Sequence, residues 1–72
     1  MISLRINGKD VQLEQPMPLP DYLRELGVDP RGVAVEVDGE ILDRKSLMFH
    51  VLQAGQVVEI VRMVGGGADL SG

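Results

Sequence analysis

Asn7-Gly8 sits between two stretches of strict alternation, and this constrains the chain more than anything else in it. Ile2, Leu4 and Ile6 alternate with Ser3 and Arg5 before the pair, and Val11 and Leu13 alternate with Gln12 and Glu14 after it. A period of two is that of a strand with one buried face. Two adjacent residues tolerant of positive φ make the tight turn that joins two such strands into a hairpin. The chain therefore begins with an apolar face that must be covered. At 72 residues a domain buries only about 60% of the surface its unfolded chain exposes, so one core has to suffice. There is no cysteine to staple it. One histidine among scattered carboxylates makes no metal site, so packing alone must hold the fold.

The cover is supplied next. Pro16, Pro18 and Pro20 each bias the preceding residue away from helical geometry, which bars a helix before Leu19 or Pro20. Pro20 suits the first helical position, and Asp21 places negative charge against the helix dipole. Leu19, Leu23 and Leu26 fall at helical spacing with Tyr22 beside them, and Gly27 fits the left-handed residue that closes a helix. No good capping side chain precedes this helix, so its first turn is expected to fray.

Val33, Val35 and Val37 then alternate with Ala34 and Glu36, and Asp38-Gly39 marks a second tight turn before Glu40-Ile41-Leu42. From Asp43 to Leu52 no single period holds. Leu47, Val51 and Leu52 are expected to plug one end of the core from a single helical or 3₁₀ turn, and Ala54-Gly55 turns the chain into its last strand. A hairpin, a crossing helix and a long final strand predict an α+β protein, a mixed sheet of four or five strands with one main helix on one face. That is the β-grasp, ubiquitin-like arrangement, in which the final strand lies beside the first. The domain is expected to span residues 1–64, with 65–72 as a flexible Gly-rich tail.

The last strand, Val57-Val58-Glu59-Ile60-Val61-Arg62-Met63-Val64, runs directly into Gly65-Gly66-Gly67. Three residues without side chains can thread a channel too narrow for any Cβ. No Lys-Ser or Lys-Thr follows, so this is not a phosphate loop. Together with Ile6-Asn7-Gly8, Tyr22 to Gly27, Gly32 to Val37 and Asp43-Arg44, the segment Leu52 to Gly67 resembles the ThiS family, ubiquitin-like sulfur carriers of thiamine biosynthesis. The resemblance covers residues 1–67. It is nearer to that family than to the small subunit of molybdopterin synthase (MoaD), which carries two prolines where this chain has Met63 and Val64.

The resemblance implies a carrier and not an enzyme. An activating enzyme using ATP adenylates the C-terminal glycine carboxylate, a sulfur donor such as a cysteine desulfurase system converts it to a thiocarboxylate, and thiazole synthase takes the sulfur. No cofactor is bound by the carrier itself. On this chain the implied acyl site is Gly67, with Gly65 and Gly66 as the neck entering partner active sites. Family members normally stop at Gly-Gly, whereas here Ala68-Asp69-Leu70-Ser71-Gly72 follows. The tail is read as one removed by cleavage after Gly67, an appended sequence, or part of a fusion. A ubiquitin-like protein modifier, a carrier for another thiocarboxylate route such as molybdopterin synthesis, and an interaction module without terminal chemistry are the competing readings.

Alternation along the last strand puts Val58 and Ile60 on the core side and Glu59, Val61 and Met63 on the other. Val61 and Met63 are either a docking patch or covered by the protein's own loop, and Arg62 either meets an acidic groove in the activating enzyme or is solvated. Arg44 is expected to make a structural hydrogen bond or lie exposed, and His50 to be satisfied or exposed. Seven Lys and Arg against eleven Asp and Glu give a net charge of −4, which argues against nucleic acid and for a basic protein partner. Arg5, Lys9 and Asp10 interrupt any N-terminal apolar run, so no signal peptide or membrane segment is expected. A cytoplasmic protein, monomeric when free, is the expectation.

Overall fold

A computed structural model describes residues 1–63. The elements in chain order are β1 (Ile2–Ile6), β2 (Lys9–Leu13), β3 (Met17–Pro18), α1 (Leu19–Glu25), a 3₁₀ turn (Pro30–Gly32), β4 (Val33–Val37), β5 (Glu40–Ile41), α2 (Arg44–Phe49), β6 (Val51–Leu52) and β7 (Val57–Arg62). The main sheet has the order β2-β1-β7-β4-β5, with β1 and β7 parallel and the other neighbours antiparallel. The expected mixed sheet with one main helix is thus present. The tail 65–72 and the boundary at Val64 lie outside the described residues.

Both tight turns form where the Asn-Gly and Asp-Gly pairs place them. Asn7 (φ 52°) with Gly8 (φ 78°) and Asp38 (φ 51°) with Gly39 (φ 87°) are left-handed throughout, the pairing of positive φ that matches strand twist in a two-residue hairpin. The inner faces of the strands supply Leu4, Ile6, Val33, Val35, Val37 and Val58, and α1 lays Leu19 and Leu23 across them with no exposed surface. The helix ends in a Schellman motif: Gly27 is left-handed (φ 76°), its N–H donates to the Arg24 carbonyl at 2.9 Å, and the Val28 N–H donates to the Leu23 carbonyl at 2.9 Å. The chain reverses as soon as Leu26 is passed. Leu26 is consequently half exposed, a correction to its placement on the core stripe, because it caps the helix outside the arc that faces the sheet.

The start of α1 also departs from expectation. Leu19, not Pro20, is the first helical residue, and no side chain caps it. Yet the first turn is held, because the Leu19 N–H donates to the His50 carbonyl at 2.8 Å and β3 pairs antiparallel with β6 through Met17↔Leu52 and Pro18↔Val51. A two-strand ladder to a segment more than thirty residues away does what a capping side chain does locally. Within that ladder Leu52 is buried and Val51 is exposed. Val51 therefore does not plug the core, since neighbouring strand residues point to opposite faces.

The aperiodic segment contains α2, a short helix that buries Leu47. Asp43 begins it, accepting from the Ser46 N–H at 2.7 Å, the bond an N-cap makes. That backbone bond, with the Ser46 side chain, holds the Asp43 carboxyl below the usual carboxylate range. A carboxylate with a depressed folded pKa contributes stability above its unfolded pKa and loses it as pH falls through the folded one. Wild type is expected to lose melting temperature relative to Asp43→Asn between about pH 4 and the acid limit, because asparagine caps without titrating. Parallel melting curves would refute this.

Among the described residues no helix is long and apolar enough to cross a membrane.

Candidate functional site

β7 is the last described element, and its geometry sets where the residues that follow it begin. β7 is central, between β1 and β4. Its register with β4 runs Val37↔Val58, Glu36↔Glu59, Val35↔Ile60, Ala34↔Val61 and Val33↔Arg62. As expected, Val58 is buried and Ile60 packs against the core. Val61 and Met63 are 59% and 52% exposed on the opposite face.

Two turn residues pin this strand from either side. The Asn7 N–H donates to the Val58 carbonyl at 2.8 Å, and the Asn7 Oδ1 accepts from the Ile60 N–H at 2.7 Å. Asp38 repeats the device from the other edge: its N–H donates to the Val57 carbonyl at 2.8 Å and its Oδ1 accepts from the Val57 N–H at 2.9 Å. An Asn-Gly or Asp-Gly pair in a sequence announces a turn. It carries no sign that the turn's side chain will bond a strand 53 residues away, and these contacts were missed. Asn7→Ala is expected to cost about 2 kcal/mol in urea denaturation, from roughly 1–2 for alanine in the left-handed region and about 1 for the lost bond, less overlap. Asn7→Gly keeps the backbone unstrained and is expected to cost about half as much; equal losses for both would remove the strain term.

The exit itself rests on the 3₁₀ turn. The Met63 N–H donates to the Gly32 carbonyl at 2.9 Å, the last bond of the β4–β7 ladder among the described residues. That turn is clamped by Arg44 of α2, whose guanidinium donates to the Pro30 carbonyl at 2.7 Å and to the Arg31 carbonyl at 3.2 Å. Asp29 closes it from the front, accepting from the Arg31 N–H at 2.9 Å. The Arg31 guanidinium, 3.0 Å away, holds the Asp29 carboxyl below its ordinary range. Arg44 is thus structural, as one of its two readings had it. His50 Nε2 faces the Gln56 Oε1 at 3.2 Å.

Val61, Ala34, Ile41, Glu36 and Glu59 line a shallow depression on the outer face of the sheet, and Arg62 and Met63 border a second with Gly27, Val28, Asp29 and Gly32. Among the described residues Arg62 makes no ion pair, and no group of three His, Cys, Asp or Glu is placed to hold a metal. The candidate acyl residue Gly67 and the neck residues Gly65 and Gly66 lie outside the described residues. What the structure brings together is their approach: Arg62 and Met63 at the end of a strand held on both edges, with an apolar margin beside it.

Comparison with known proteins agrees with this architecture. A solved structure of a thiamine biosynthesis protein (ThiS) from Geobacter metallireducens superposes with a TM-score of 0.74 at 29% identity, covering 92% of this chain and all of that one. A thiazole synthase of Paramagnetospirillum magneticum is 40% identical over 68 residues, 94% of this chain. The chain spans only 21% of that relative's length. An uncharacterized protein, ycf40, of Porphyra purpurea is 29% identical over 66 residues, covering 92% of this chain and 93% of that protein. The model of the ThiS family matches residues 4–67. Fold, strand order and that match over most of the length together show that the chain belongs to the ThiS family.

Proposed function

We propose that this protein carries sulfur as a thiocarboxylate on Gly67 and delivers it for assembly of the thiazole of thiamine. The observation that carries the reading is a strand held at both edges by Asn7 and Asp38 that leads toward Gly65-Gly66-Gly67, in a chain whose family match runs through Gly67. The chemistry needs little else from the carrier. A carboxylate is a poor acyl donor until one oxygen becomes part of a good leaving group. Attack of a Gly67 carboxylate oxygen on the α-phosphorus of ATP, with loss of pyrophosphate, makes the acyl adenylate. Sulfide-level sulfur (hydrosulfide) then adds to the carbonyl carbon, AMP leaves with the C–O bonding electrons and the S–H proton is lost, giving the thiocarboxylate. Where the donor holds a persulfide, a thiol reductant supplies the two electrons that cleave the S–S bond of the acyl disulfide. The ATP belongs to the activating enzyme; the carrier is its co-substrate.

The partners that follow are an adenylating enzyme, a sulfur donor such as a cysteine desulfurase system, and thiazole synthase. A relative named thiazole synthase with a segment similar to this chain supports the last of these. Val61, Met63 and Arg62 are the candidate docking residues, exposed beside the exit. Because a peptide bond to Ala68 occupies the Gly67 carboxyl, cleavage after Gly67 precedes activation. The intact mass of the protein from its native cell tests the proposal: a chain ending at Gly67 with one oxygen replaced by sulfur is expected. A population retaining residues 68–72, or found as lysine conjugates of other proteins, would overturn it.

A further inference from the structure

The two edges of β7 are not equally occupied, and the difference follows from the register. Against β4, the pairs sharing both backbone bonds are those of odd-numbered β7 residues, as the Val57–Asp38 and Met63–Gly32 bonds show. Even-numbered residues therefore direct N–H and C=O toward β1. There the ladder is short: β1 pairs with Val57 and Val58 only, since the chain turns away at Asn7. The Gln56 and Val58 carbonyls accept from Arg5 and Asn7, and the Asn7 side chain replaces the missing strand at the Ile60 N–H. Beyond it, the Ile60 carbonyl, the Arg62 N–H and the Arg62 carbonyl have no backbone or side-chain partner among the described residues.

We propose that this stub of edge is a docking site for an extended strand of the activating enzyme. An acceptor, a donor and an acceptor in sequence along one edge are what strand addition reads, and such pairing takes affinity from main-chain bonds. The occupant is argued from position. Asn7 closes the edge on the side of the hairpin, so an added strand runs alongside β7 only in the direction of Gly65 to Gly67. An enzyme that holds this segment straight while its carboxyl reacts meets these three groups first. Among the described residues the open row spans about 7 Å at the strand rise of roughly 3.3 Å per residue, long enough to set a register. The inference rests on the carrier reading, and names where its first partner binds.

Amide hydrogen exchange on the full chain tests it. The Arg62 N–H is expected to exchange quickly in the free protein and at least tenfold more slowly with saturating activating enzyme. Arg62→Pro removes that N–H without removing a β4 bond and is expected to weaken binding, in titration calorimetry, at least tenfold beyond whatever Arg62→Ala loses, since the alanine variant gives up the same side chain and keeps the N–H. Unchanged Arg62 exchange in the complex overturns the proposal even where the 1–67 form is adenylated, which leaves the carrier reading standing. Protection that grows with protein concentration before any enzyme is added also overturns it, assigning the edge to a second copy. Failure of the 1–67 form to be adenylated overturns the carrier reading and this inference with it.

Discussion

Incubated with the activating enzyme and ATP, the full 72-residue chain is expected to give no acyl adenylate above background, and the 1–67 form to give it readily, as read by ATP–pyrophosphate exchange. The reason is the nucleophile. Adenylation needs a carboxylate oxygen carrying negative charge, and in the full chain the Gly67 carbonyl is an amide bonded to Ala68, neutral and without a free oxygen anion. In this 72-residue form Leu70 and Ser71 precede the Gly72 carboxylate, and under the proposed reading a channel that admits only glycine would exclude their side chains. The 1–67 form keeps every ladder of the described residues, all of which close by Met63. The two forms should therefore melt together. Equal exchange rates for both would overturn the assignment of Gly67.

Leu23→Ala is expected to cost about 2–5 kcal/mol, the range for a buried leucine reduced to alanine. Leu23 has no exposed surface and lies between α1 and the sheet, with Leu19, Leu47, Leu52 and Val58 equally enclosed in the same cluster. A chain of this size draws roughly 3–5 kcal/mol from its one core. With no disulfide to fall back on, the variant is expected to be substantially unfolded at 25 °C in circular dichroism. Leu26→Ala is the matched control, three residues on in the same segment but half exposed; it should stay within about 0.5 kcal/mol of wild type. Comparable losses at the two positions would mean that α1 does not use its Leu19–Leu23 arc against the sheet.

Much of the fold was legible because its signals are local. Alternation marked β1, β2, β4 and β7, the Asn-Gly and Asp-Gly pairs marked both hairpin turns, and Gly27 marked the end of α1. What escaped was set by contacts distant in sequence. The β3–β6 ladder joins two dipeptides too short to show a period, and Pro18 argues locally against a strand. Leu26 and Val51 were misplaced for one reason: a spacing tells which residues can share a face, while the exact arc that faces the sheet is decided by packing. The candidate acyl site at Gly65 to Gly67 is an expectation from the family resemblance and lies outside the described residues, and the geometry of its approach was not legible. Nothing around Asn7 or Asp38 in the sequence discloses that these side chains hold β7, and the structural bond expected of Arg44 came with no sign that its partners are the Pro30 and Arg31 carbonyls.

The sequence by itself determined the strands that face a core and the two turns that reverse them, because backbone dihedral preference and side-chain period act within a few residues. Only the tertiary structure decided that β7 stands between β1 and β4 and that β1 stops short of it. The physical reason is that edge occupancy depends on which strands meet and at what register, and the unpartnered groups of Ile60 and Arg62 arise from a hairpin that turns more than fifty residues earlier in the chain.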